Sequence, residues 1–276
     1  MLIDELETLI LDFHPVQDCP DQYNQILRYI SQIDGGIIHS RIPSNCLEDL
    51  LLAIAYHGNR DGALDLIANN GLLSYMLNSH PNPQNLINLL VRYIDDETIR
   101  SALESTHRVQ PINQIIINWF LVQACERAHF KTIDYLLSEL GAEPNTNSAV
   151  GYSIFCCILQ SEWLDTEQIC NLLNYLIENG WNVLSEQRGY SPFFGVHNSP
   201  LEFAVKMRKP EVVKILLSNN VPVDQSVWDL VRERTSVVSR EINPTNIQID
   251  SEIKHILINK HMLASSFVHP TAALAC

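Results

Sequence analysis

The sequence has no apolar run near the roughly 20 residues that a bilayer-crossing helix needs. Basic residues are also scarce: 18 Lys and Arg stand against 32 Asp and Glu, a net charge of −14 at pH 7. So acidic a chain repels phosphate backbones and anionic lipid headgroups, which argues against nucleic acid and membranes as general partners. No local cluster of Lys and Arg offsets this. There is no Cys-x-x-Cys, no His-Glu-x-x-His, no Gly-x-Ser-x-Gly and no glycine loop to cradle a phosphate. The ten histidines are scattered. His14 and Cys19, like His57 and Cys46, are neighbours by sequence proximity alone, a poor basis for a thiol–imidazole pair. His255 and His261 fall on opposite sides of a helix, a spacing that suits no metal. No catalytic residue, metal ligand or cofactor is therefore expected. The seven cysteines are odd in number, and Cys46, Cys125, Cys156, Cys157 and Cys170 lie in apolar helical segments. That pattern fits buried, reduced thiols in the cytoplasm. Asp4, Glu5 and Glu7 stand where a secretory leader carries positive charge, which fits the same compartment.

What the chain does have is apolar residues, 46% of the total, set at helical spacing. Residues 1–44 read as two helices forming an N-terminal cap. Ile3, Leu6, Leu9, Ile10 and Phe13 mark the first; Tyr23, Ile26, Leu27, Ile30 and Ile33 mark the second, which Gly35-Gly36 ends. Residues 45–226 read as a helical repeat array. In 45–71, an inner helix around Leu47–Ala55 is followed by a break at His57-Gly58-Asn59, an outer helix from Gly62, and a stop at Asn70-Gly71. Residues 72–110 keep the periodicity (Leu86, Leu89, Leu90 and Ile94; then Ile99, Ala102 and Leu103) but read as a degenerate repeat. Residues 113–145 and 151–184 give two further copies. Leu136, Leu176 and Leu216 recur at equal intervals of 40 residues, the best internal sign of an array. Residues 227–262 read as capping helices and 263–276 as a mobile tail.

The plainest copy is residues 198–224. Ser199-Pro200 suits a helix start, with a hydroxyl cap and proline in the first turn. Leu201 and Ala204 share one face, Pro210 separates two helices, and Val212, Val213, Leu216 and Leu217 stripe the second. Ser199-Pro200-Leu201-Glu202-Phe203-Ala204 and Val212-Val213-Lys214-Ile215-Leu216-Leu217 resemble the Thr-Pro-Leu-His-x-Ala and Val-Val-x-Leu-Leu-Leu of an ankyrin repeat. Glu202 replaces the family's inter-repeat histidine, Arg208 stands where glycine is usual, and Asn220-Val221 replaces Gly-Ala. The resemblance implies an all-α, ankyrin-like solenoid with helical caps at both ends.

Ankyrin arrays bind proteins through their fingers and inner helices, so the resemblance implies a non-catalytic protein–protein interaction module: adaptor, scaffold or inhibitor. The fingers would be residues 143–151, 181–198 and 221–228. The second reads as lengthened by about eight residues, because Gly189-Tyr190-Ser191 echoes Gly151-Tyr152-Ser153 while Ser199 fits the helix spacing better. Trp181, Arg188, Tyr190, Phe193, Phe194 and His197 are its candidate contacts, being Arg and aromatic types that dominate interface energetics. Trp181 and Phe193 are equally suited to packing the loop. The eroded repeats and Asn/Ile-rich texture resemble ankyrin-repeat effectors that intracellular bacteria deliver into host cytosol, where the partner would be a host protein. The alternative class is a cysteine-dependent hydrolase or transferase with a Cys, a His and an acid in one cleft of the caps or inserts. A third reading takes the N-terminal helices as a ubiquitin-ligase adaptor, from a faint F-box look over residues 2–11.

Overall fold

The computed structural model turns the apolar stripes into sixteen α-helices and one short hairpin among the described residues. Those are 2–11, 13, 20–56, 62–147, 153–184, 189–191, 195–197, 199–236 and 243–266. The fold class is all-α. Two units, Met1–Gly151 and Tyr152–Cys276, each gather a core of their own.

The first unit holds α1 (Leu2–Leu11), α2 (Pro20–Ile30), α3 (Gly35–Arg41), α4 (Ser44–Tyr56), α5 (Ala63–Asn69), α6 (Leu72–Ser79), α7 (Pro83–Tyr93), α8 (Asp96–Val109), α9 (Gln114–Glu126) and α10 (Phe130–Ser138). They stack in rows. One row runs α1, α4, α7, α9, a second runs α2, α5, α8, α10, and α3 packs on α6 beside them. The apolar stripes face between the rows: Leu50, Leu51 and Ile54 of α4, Leu86 of α7, and Phe120, Leu121 and Ala124 of α9 have no exposed surface. Burial of each large side chain stabilises the stack by about 1.5–3 kcal/mol.

Residues 1–44 form three helices rather than the expected two. Gly35-Gly36 begins α3 instead of ending α2. Asp34 is the cause: its carboxylate accepts from the backbone N–H groups of Gly36 and Ile37, the capping bonds that start a helix. The glycines serve close packing. A Cβ at Gly35 would sit 2.3 Å from the backbone nitrogen of Leu72, and the Gly35 N–H donates to the Asn70 carbonyl at 3.1 Å. Residues 72–110 likewise hold three helices, α6, α7 and α8, with α6 packed on α3 and α5.

The run Asp95-Asp96-Glu97 starts α8 and also serves its neighbour. Asp95 caps α8 by accepting from the Thr98 N–H at 3.0 Å. Asp96 reaches across to α10, whose own N-cap, His129, offers no side-chain bond. Its two carboxylate oxygens accept from the Lys131 and Thr132 N–H groups, both at 2.9 Å. One helix therefore caps its neighbour, satisfying two of the donors that a helix start leaves open.

The second unit holds α11 (Ile154–Gln160), α12 (Thr166–Glu178), β1 (Gly189–Ser191), β2 (Gly195–His197), α13 (Pro200–Lys206), α14 (Pro210–Ser218), α15 (Gln225–Thr235) and α16 (Pro244–Ser266). Again there are two rows, α11, α13, α15 and α12, α14, α16. The last helix reaches Ser266, so residues 263–266, expected in a tail, are helical. Phe155, Phe203 and the evenly spaced Leu176 and Leu216 are fully buried.

Helix ends repeat one backbone motif. Ala128, Arg208 and Asn220 have φ of +52°, +54° and +61°, and Gly180 has φ of +94°. In each case the next N–H bonds back five residues: His129 to Ala124, Lys209 to Ala204, Val221 to Leu216 and Trp181 to Leu176, at 2.8–3.1 Å. This is the Schellman closure, which glycine favours because it has no Cβ. Arg208 occupies such a position and uses its side chain. Its Nε lies 3.2 Å from Asp250 Oδ1 on α16, and Nη2 lies 3.3 Å from Oδ2. Asp250 is 5% exposed, and the Arg234 guanidinium stands 3.8 Å away. Glu202 bridges α13 and α15: the Ser226 hydroxyl of α15 lies 2.7 Å from its Oε2, and Lys206 pairs with its Oε1 at 2.7 Å.

Candidate functional site

Trp181 belongs to the core. It is 3% exposed, and its ring stacks on Phe155 with centroids 5.6 Å apart. That contradicts a role in surface contact and fulfils the packing role instead. Its Nε1 is buried and has no hydrogen-bond partner among the described residues. Tyr190 lies on β1 and His197 on β2, which pair antiparallel in the register Gly189↔His197, Tyr190↔Val196 and Ser191↔Gly195. Arg188, Phe193 and Phe194 lie outside the described residues. The expected finger is thus framed by a two-stranded ladder that helix periodicity gave no reason to expect.

A groove of about 350 Å3 opens in the first unit between α4 and α7. Glu48, Asp49 and Leu52 line it from α4; Asn85, Asn88, Leu89, Arg92 and Tyr93 line it from α7. The helical period puts these residues there. Leu50, Leu51 and Ile54 turn into the core, as do Leu86, Leu90 and Val91, which leaves 48, 49 and 52, and 85, 88, 89 and 92, on the outer edges of both helices. Leu89, expected to share the buried stripe with Leu86 and Leu90, is half-exposed and forms part of this wall.

The two helices run in the same direction. Glu48, in the second turn of α4, meets His80, three residues before α7, and Leu52, one turn further along α4, shares the groove with Asn88 and Leu89, further along α7. The groove is accordingly bipolar, with acids at the helix starts and arginine at the ends, each sign matching the local helix dipole. His80 fixes the acidic end. Its Nδ1 accepts from the Asn82 N–H at 3.0 Å, so Nε2 carries the proton and donates to Glu48 Oε1 at 2.8 Å. The imidazole is 5% exposed, while Glu48 retains 35% exposure. Nearby, His39 stacks on Tyr75 at 5.7 Å, and burial, then the neighbouring His80, holds its pKa below the ordinary value.

Asp49 makes no ion pair or side-chain hydrogen bond among the described residues, and Arg92 makes no ion pair. The Arg92 guanidinium carbon lies 5.6 Å from the Tyr93 ring centroid, and both side chains are exposed. Burial, with the charge of Arg92 added, lowers the Arg127 pKa. Two uncompensated charges of opposite sign thus flank Leu52 and Leu89.

Burial pushes the Cys46 thiol up, with the Asp49 carboxylate adding to it, and burial pushes Cys170 up with Glu211 adding. A nucleophilic cysteine needs the opposite shift. His14, Cys19 and His57 lie outside the described residues. No group of three or more His, Cys, Asp and Glu able to hold a metal occurs among the described residues. None of their helices is long and apolar enough to cross a membrane.

No protein-family model matches the chain, and no curated protein matches it.

Proposed function

We propose that the protein is a non-catalytic interaction module, an adaptor, scaffold or inhibitor built on ankyrin-like repeats, whose binding surface includes the groove between α4 and α7. One observation carries the reading: Asp49 and Arg92 stand uncompensated at opposite ends of a cleft walled by Leu52, Leu89 and Tyr93. An apolar wall with a few convergent polar groups is what a recognition pocket offers. The stacked helix rows, the repeated Schellman closures and the Glu202–Ser226 bridge between layers support the ankyrin-like reading. The eroded repeats and Asn/Ile-rich texture extend the reading to a bacterial effector acting in host cytosol on a host protein.

A second surface has its own support. The β1/β2 ladder lies within the long finger, whose candidate contacts are Arg188, Tyr190, Phe194 and His197. Affinity capture from eukaryotic lysate separates the two surfaces. Bait with Asp49→Asn and Arg92→Gln, bait with the four finger residues changed to Ala, and the intact chain are compared by mass spectrometry. Loss of a partner with only one folded variant assigns the surface. Failure of the intact chain to retain any partner would sink the interaction reading.

A further inference from the structure

We infer that the α4/α7 groove docks an extended segment of a partner protein, with a basic side chain against Glu48 and Asp49, an apolar one against Leu52 and Leu89, and an acidic one at Arg92. This rests on the interaction function proposed above and specifies the chemistry of the partner. Several charges on exposed helix faces find local partners: Arg100 with Glu97 and Glu104, Arg108 with Glu104, Lys214 with Glu211, Arg232 with Asp229. Asp49 and Arg92 do not, although both line one cleft. Glu48 spends Oε1 on His80 and keeps Oε2 for another donor. His80 therefore acts as a positioning residue for the acidic end.

The dimensions select the segment. From Asn85 to Arg92 the rise of α7 spans about 10 Å, at 1.5 Å per residue. An extended chain covers that distance in about three to four residue steps, at roughly 3.3 Å each. The occupant is thus a short basic–apolar–acidic stretch. A cleft of about 350 Å3 admits the apolar side chain while the charged ones lie along the rim. Tyr93, 48% exposed, offers a flat face to the same segment.

The test is a methyl NMR titration of the full chain, following Leu52 and Leu89. Three capped pentapeptides serve as probes: Lys-Ala-Leu-Ala-Glu, Lys-Ala-Leu-Ala-Lys and Glu-Ala-Leu-Ala-Glu. The mixed peptide is expected to shift both methyl pairs saturably and more tightly than either like-charged peptide. Asp49→Asn and Arg92→Gln should each weaken it up to about fivefold, the ceiling for exposed ion pairs. Equal binding of all three peptides, indifference to both substitutions, or no shift at millimolar peptide would overturn the assignment. Methyl shifts that follow protein concentration without peptide would give the groove to a second copy and overturn it too. A lysate partner held equally by intact chain and groove variant, with no peptide shift, overturns the groove assignment while leaving the interaction function standing. Peptide binding without any lysate partner does the reverse.

Discussion

Ala128 and Gly141 lie thirteen residues apart in the first unit, both in left-handed backbone, with φ of +52° and +65°. Exchanging their side chains one at a time should move stability in opposite directions. Ala128 is the αL residue of a Schellman closure, its N–H bonded to the Cys125 carbonyl at 3.2 Å. An L-residue there costs about 1–2 kcal/mol from the clash of Cβ with the backbone. Ala128→Gly relieves that clash but returns about 0.5–1 kcal/mol as added freedom of the unfolded chain. The net expectation is a gain of about 0.5–1 kcal/mol. At Gly141 a new Cβ meets nothing within 4 Å, so Gly141→Ala carries the backbone cost with no packing clash. It should lose about 1 kcal/mol, the difference between the same two terms with strain winning. Urea denaturation reads both. With a slope of about 1–3 kcal/mol per molar, the midpoints should part by roughly 0.5–2 M at unchanged slope. If Ala128→Gly destabilises and Gly141→Ala stabilises, unfolded-state entropy dominates and the strain argument fails.

Asp250 is 5% exposed and serves both Arg208 and Arg234, so Asp250→Asn should destabilise the second unit by about 2 kcal/mol, less than a fully buried pair because both guanidinium groups are partly wet. A double-mutant cycle with Arg208→Gln should return a coupling of about 1 kcal/mol, and zero coupling would show that the pair is idle. Asp96→Ala removes the cap that α8 lends to α10; urea unfolding should show a loss of about 1–2 kcal/mol, which Asp96→Asn recovers in part by keeping one acceptor. Burial holds the His129 imidazole below its ordinary pKa of 6.5, and its Nδ1 is buried without a partner. The unfolded chain therefore takes up this proton first, and stability that is complete above pH 6.5 should fall as the pH drops below it. His129→Gln should flatten that slope in urea midpoints measured from pH 7.5 to 5.5, and an unchanged slope would remove His129 as its source.

Much of the local structure could be read from the chain because it follows from local chemistry. The 3.6-residue stripes define most of the helices. Ser199 starts a helix by capping it, and Pro200 and Pro210 sit in first turns. The equal spacing of Leu136, Leu176 and Leu216 ends in full burial at all three. The odd residues of 199–224 could be seen but not explained, since their partners are far away in sequence. Arg208 finds Asp250 and Glu202 finds Ser226 only once α13 lies against later helices. The third helix at Gly35 escaped for a related reason. A paired glycine reads locally as a stop, whereas the approach of the Leu72 backbone is what requires it. The long finger shows the limit most sharply. Residue type alone leaves Trp181 equally fit for contact or core, and stacking on Phe155 decides for core. The groove is wholly tertiary. Glu48 and Asp49 belong to one helical stripe and Arg92 to another, and only the parallel stacking of α4 and α7 sets opposite charges at the two ends of one cleft. Helices arise from contacts three or four residues apart, which sequence records directly; a cleft arises from which helices become neighbours, and total core packing selects that.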